Sequence, residues 1–227
     1  MKKLPLSAAF EVLQNRDEHF EKINKETYAE NLITAQVVLI SAFAFFYGAI
    51  MGSYNSLLQA ATSGVKLCLL LFLTLLICFP SFYIVQLVLG SRVKIKQLAV
   101  MLLSGFLMTT TVMLAFAPIV LFFQLSADNY NFLQFIHVGV MVFSGFFGMR
   151  AVLDALRNCF EESGIYPKIG LSIFRIWVII FAFVGIQLAW NLRPFLGTKE
   201  LRYELVRKET QGNFYSAMIR SFKDMID

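Results

Sequence analysis

Apolar residues are concentrated in five long runs along the chain. These predicted spans cover residues near 33–53, 66–90, 98–124, 132–153 and 169–192. Each run is continuous and long enough to cross a hydrocarbon core of about 30 Å, which takes about 20 residues as a helix. A membrane barrel strand would instead alternate apolar and polar residues over about 10 positions. The pattern therefore predicts an all-α integral membrane protein, built as a bundle of five transmembrane helices.

Both ends of the chain have a different pattern, in which apolar residues recur at helical spacing among charges. We expect amphipathic helices in the N-terminal segment 1–30 and in the C-terminal tail 195–227, on either side of a transmembrane domain 31–194. Apolar residues four positions apart form one face of the tail: Phe214, Met218 and Phe222. Such a face lies on a membrane surface or docks on a neighbouring protein.

The composition of the chain agrees with a membrane protein. Of its 227 residues, 58% are hydrophobic and 15% are charged, whereas about a quarter of the residues in an ordinary soluble domain are charged. A soluble domain of this size cannot hide so much apolar surface, because its surface must be largely polar. This composition excludes a plain soluble domain and a disordered chain.

Charged residues are scarce in the middle of the chain. Five lie between residues 31 and 149, and we expect none of them inside an apolar run: Lys66, Arg92, Lys94, Lys96 and Asp128. Basic residues are concentrated in the N-terminal segment and in the second and fourth loops, which predicts a cytoplasmic N-terminus and a first span that acts as an uncleaved signal anchor. Five spans then place the tail outside, although its own basic residues favour the cytoplasm.

Small residues recur on two of the predicted helices. Ala44, Gly48 and Gly52 lie four residues apart on the first helix, and Gly145 and Gly148 lie on the fourth. Small side chains on one face let two helix backbones approach closely in lipid, where hydrophobicity does not drive association. Two interpretations follow, namely an interface with a partner or a second copy, and packing inside the same bundle.

One polar cluster stands out near the predicted cytoplasmic side. Asp154 follows Arg150 by four residues, so that both side chains share one helix face. Arg175 falls about two turns into the fifth span, which is costly for a charge unless it is paired or reaches the headgroups. The hypothesis is a structural clamp between Arg175 and Asp154 or a contact with lipid headgroups.

The sequence contains no catalytic or cofactor motif. His137 has no Glu or Cys at metal-binding spacing, and the three cysteines form no metal-binding pattern. We therefore expect a protein that is not an enzyme and has no catalytic residues, cofactor or metal. The expected partners are the lipid bilayer and other membrane subunits or further copies of the chain, and not nucleic acid.

Several segments resemble the Yip1-like group of polytopic membrane proteins. They are Phe79-Pro80-Ser81-Phe82-Tyr83, Leu89-Gly90-Ser91-Arg92, Gln97 and Ala117-Pro118-Ile119. Two segments of the tail, 193–197 and 212–215, carry a separate resemblance. The tail segments are similar to those of poorly characterised bacterial membrane proteins. The resemblance implies a non-enzymatic protein of the membrane that works through partners.

These observations predict a structural or assembly subunit of a larger complex in a bacterial inner membrane. The alternative is a small channel or transporter of ions or small solutes. In that alternative, Pro80 and Pro118 kink the second and third helices, and Thr109, Thr110 and Thr111 line a path.

Overall fold

The computed structural model describes residues 26–88, 94–126, 129–162 and 167–197, with their side chains except for those of 26–29, 158–162 and 167–171. Five helices make up most of this part of the chain: α1 (Glu26–Gly52), α2 (Leu57–Val88), α3 (Ile95–Ser126), α4 (Tyr130–Glu162) and α5 (Pro167–Asn191). All five are long and apolar enough to cross a membrane. The predicted all-α fold with five spans is thereby confirmed. The predicted amphipathic ends lie almost entirely outside the described residues.

Local capping explains where two of the helices begin. The Ser56 hydroxyl oxygen accepts a hydrogen bond from the backbone N–H of Gln59, and the Asn129 side-chain oxygen accepts one from the N–H of Phe132. These are N-cap contacts, which satisfy amide groups that a helix leaves unpaired in its first turn. As a result, α2 begins at Leu57, directly after its cap Ser56 and well before the predicted start at residue 66.

The helices form a closed ring. α1 lies between α2 and α3, α4 packs on the other side of α3, and α5 contacts both α4 and α2. Apolar side chains fill the interior in two clusters, one around Phe82, Leu102 and Trp177 and the other around Tyr47 and Met113. Many large apolar side chains point outward, as a lipid-facing surface requires.

The C-terminal end of α1 is tied to α3 by one side chain. Gln124 Nε2 donates hydrogen bonds to the carbonyl oxygens of Ile50, at 3.0 Å, and Met51, at 3.3 Å. The last carbonyl groups of a helix have no partner within it. Gln124 therefore closes α1 and fixes its end against α3.

Candidate functional site

The small residues of α1 face α2 of the same chain. Ala44 is fully buried, and a Cβ added at Gly48 would lie 2.6 Å from the carbonyl oxygen of Ser63. A Cβ added at Gly52 would overlap the carbonyl group of Gln59. The absence of side chains at both glycines therefore lets the two helix backbones come into contact. This face packs within the bundle.

The two glycines of α4 have different surroundings. Gly148 packs on α3, where an added Cβ would overlap the carbonyl oxygen of Gly105 and the hydroxyl of Thr109. At Gly145, the described residues leave open space around the position of an added Cβ. Within the described part of the chain, Gly148 thus makes a close helix contact and Gly145 does not.

Lys66 lies inside α2, which corrects the expectation that no charge falls within an apolar run. Its side chain is 5% exposed, and Nζ donates a hydrogen bond to the carbonyl oxygen of Pro194 at 2.9 Å. The predicted span began at Lys66 and so placed this residue at a helix end, whereas α2 begins at Leu57. An ammonium group inside a membrane span is costly without polar partners, and the Pro194 carbonyl provides one.

The chain leaves α5 through a non-helical segment, residues 192–197, that we call the exit corner. Three polar side chains of α2 bind its carbonyl groups: Gln59, Ser63 and Lys66. Gln59 Nε2 donates to the carbonyl oxygen of Pro194 at 2.9 Å, and Ser63 Oγ donates to that of Phe195. Their spacing of four and three residues puts all three on one face of α2. The exit corner is therefore anchored to α2.

Two further contacts shape the exit corner. The guanidinium group of Arg193 lies over the ring of Trp190, and Arg193 Nε donates to the Trp190 carbonyl oxygen at 3.1 Å. Gly197 has a φ of 65°, the left-handed region that favours glycine, and lies against Asn55 in the loop between α1 and α2. The loop after α1 and the end of α5 thus meet at one end of the bundle.

The anchoring role of Gln59, Ser63 and Lys66 was missed by the sequence analysis. Two signals in the sequence point to it. Ser56 followed by Gln59 three positions later is a helix N-terminus pattern, and it moves the start of α2 back to include all three residues. Within that longer helix, polar residues spaced four and three positions apart indicate one polar face in an otherwise apolar segment.

Two polar pairs join helices in the interior. Gln36 Nε2 of α1 donates to Ser104 Oγ of α3 at 2.7 Å. The Tyr47 hydroxyl of α1 and His137 Nδ1 of α4 are 3.1 Å apart and share a hydrogen bond. Within the described ranges, no group of three His, Cys, Asp or Glu side chains could hold a metal ion. These two pairs thus join α1 to α3 and α1 to α4.

The charged cluster does not form the expected clamp. Arg150 on α4 and Arg175 on α5 are both exposed, and Asp154 is partly buried. Among the described residues, no ion pair joins either arginine to Asp154. Contact with lipid headgroups, the other half of the hypothesis, is compatible with two exposed guanidinium groups.

The apolar face of the tail, formed by Phe214, Met218 and Phe222, lies outside the described residues.

Comparison of the chain with protein-family models, with curated proteins and with solved structures gave no match.

Proposed function

We propose that the chain is a non-enzymatic multi-pass protein of a bacterial inner membrane, with a cytoplasmic N-terminus, that acts as a structural or assembly subunit of a larger complex. The observation that carries this proposal is the light packing of α5 against the rest of the described chain. Only 11% of the residues in its most apolar 18-residue stretch are buried, against 33% in the corresponding stretches of α1 and α3. Membership of the Yip1-like group stays a prediction from the sequence.

After Arg175, the outward face of α5 is apolar. It contains four exposed side chains: Ile176, Ile179, Ile180 and Phe183. Helices in lipid associate by close packing of such faces rather than by a hydrophobic driving force. We expect a transmembrane helix of a partner subunit to pack on these four side chains, which the described part of the chain leaves exposed.

The interior of the bundle also favours a structural role. Bulky apolar side chains fill both core clusters. The three threonines that the channel alternative uses each bond to their own helix: Thr109 to the Gly105 carbonyl oxygen, and Thr110 and Thr111 to that of Leu107. These hydroxyls serve the backbone of α3, so no specific observation favours the channel alternative.

The test is photo-crosslinking in native membranes from two outward positions of equal exposure. A photoreactive residue replaces Ile179 on α5, which is 69% exposed, or Leu76 on α2, which is 68% exposed. We expect the Ile179 probe to give one discrete adduct with a second polypeptide, and the Leu76 probe to give lipid adducts. Lipid adducts alone at both positions, together with a partner-free particle that conducts ions in liposomes, would overturn the proposal.

A further inference from the structure

Two arginines lie inside membrane-spanning segments on the outward surface. Arg150 belongs to the span Tyr130–Arg157, and Arg175 belongs to the span Ser172–Asn191. Both side chains are exposed. In the described part of the chain, neither guanidinium group makes a hydrogen bond or an ion pair with protein.

The fold brings these arginines to the same end of the bundle. α4 and α5 are consecutive helices in contact, joined by residues 163–166. At 1.5 Å per residue, Arg150 lies about 18 Å before the end of α4, and Arg175 lies about 12 Å after the start of α5. Each arginine therefore lies in the half of its helix that is nearer to residues 163–166.

The surroundings of both arginines are apolar. Phe146 is exposed one turn before Arg150, and Ile176 and Ile179 are exposed next to and one turn after Arg175. A guanidinium group that faces hydrocarbon is costly, and a long side chain lowers that cost by extending towards the headgroup layer. No protein acceptor binds either group among the described residues, and the membrane headgroups offer one.

Phosphate is the acceptor that suits this geometry. A guanidinium group presents a planar fork of donors that binds two phosphate oxygens at once and keeps its charge at every pH of interest. Asp154 is the acidic residue nearest in sequence to Arg150, and it pairs with neither arginine.

We propose that Arg150 and Arg175 form a binding site for the phosphate group of an anionic phospholipid, on the outward surface between α4 and α5. The acyl chains of this lipid lie along the exposed apolar side chains of α4, Val142 and Phe146. This site does not depend on the proposed function, because it requires only the bilayer.

The test uses the full chain in nanodiscs made of phosphatidylglycerol and phosphatidylcholine, from which the protein is released with its bound lipid for native mass spectrometry. We expect retained phosphatidylglycerol in the wild-type chain, and about fivefold weaker retention for each arginine removed in Arg150→Gln and Arg175→Gln. Arg193→Gln is the matched control, because it removes the same charge at the opposite end of the bundle, where Arg193 stacks on Trp190. Thermal unfolding of each variant confirms that it is folded.

Two further measurements distinguish binding of a guanidinium fork from binding of a positive charge alone, and binding of a phospholipid from binding of free phosphate. Arg175→Lys keeps the charge but loses the fork, so retention should fall between that of the wild type and that of Arg175→Gln. Inorganic phosphate added to the released protein should not displace the lipid, since it lacks the acyl chains. Equal retention in the Arg150→Gln, Arg175→Gln and Arg193→Gln variants, equal retention of the two lipids, or binding of inorganic phosphate instead would each overturn the proposal.

Discussion

At the residue scale, the helical glycines provide a direct test of the α1–α2 contact. In Gly48→Ala, the new methyl group meets the backbone of α2 at Ser63 and Gly64, and backbone atoms cannot move aside without separating the helices. We expect a loss of about 1–3 kcal/mol in the free energy of unfolding, the usual effect of overpacking. Reversible unfolding in mixed detergent micelles measures it.

The matched control for Gly48 is Gly145→Ala, because the described residues leave open space around the added methyl group. This variant should lose no stability, and alanine's better helix propensity adds up to about 1 kcal/mol. If Gly48→Ala and Gly145→Ala were equally stable, the close approach of α1 and α2 would not contribute to the stability of the bundle.

Tyr47→Phe tests the buried pair between α1 and α4. The substitution removes the hydroxyl that bonds to His137 Nδ1 and leaves a buried ring nitrogen without this partner. We expect the free energy of unfolding to fall by about 1–3 kcal/mol. Tyr83→Phe is the control, since the half-buried Tyr83 hydroxyl has no hydrogen bond in the described part of the chain, and its effect should stay within about 0.5 kcal/mol. Equal losses for Tyr47→Phe and Tyr83→Phe would contradict the pairing.

At the element scale, α5 is held to α2 by an aromatic contact. The Trp177 ring centroid lies 4.5 Å from that of Phe82, and Trp177 Nε1 donates to the carbonyl oxygen of Cys78 at 3.2 Å. Trp177→Ala removes both contacts, and we expect it to lower the free energy of unfolding by about 3 kcal/mol. Ile179→Ala, on the outward face of the same helix, should have a much smaller effect.

Disulfide cross-linking at a site distant from Trp177 measures whether α5 separates from α2. A Cβ added at Gly185 would lie 3.6 Å from the side chain of Thr74, so cysteines at these two positions are close enough to be joined. The yield should fall in the Trp177→Ala background and stay unchanged with Ile179→Ala. An undiminished yield with Trp177→Ala would mean that other contacts hold α5 in place.

The existence of the five helices could be predicted from the sequence, but the start of α2 could not be placed from hydropathy alone. A continuous apolar run is enough to predict a span, because lipid requires every backbone group to bond within its own helix. Because lysine is typical of loops, hydropathy alone predicts that this span starts at Lys66. Its partner, Pro194, is distant in sequence, and the spacing of residues along α2 does not encode that contact.

The sequence predicts which helix faces make contacts, but not which faces contact each other. The spacing of Ala44, Gly48 and Gly52 predicts a packing face, but the identity of the helix that it contacts follows only from the fold. In the same way, the spacing of Arg150 and Asp154 allows an ion pair that the structure does not form. Periodicity therefore identifies the faces of helices, whereas the pairing of faces depends on contacts between distant parts of the chain.

At the scale of the whole molecule, the five spans of the described residues put Glu26 and Gly197 on opposite sides of the membrane. We expect alkaline phosphatase fused after residue 227 to be active, because it is exported, and a fusion in the loop at residues 163–166 to be inactive. A green fluorescent protein fusion gives the reverse pattern. Fluorescence from a fusion after residue 227 would contradict five spans with a cytoplasmic N-terminus.

The position of α1 between α2 and α3 has a consequence for biogenesis. Helices leave the ribosome in the order in which they are encoded, and the contacts of α1 with α2 and α3 involve the first three. The α1–α2 contact at Gly48 and the α1 cap provided by Gln124 are thus available before α4 has been synthesised. α5, the most lightly packed span, is inserted last and closes the ring. The contacts of α1 with α2 and α3 therefore do not require the later helices. The last step joins the exit corner to α2, which is already in place.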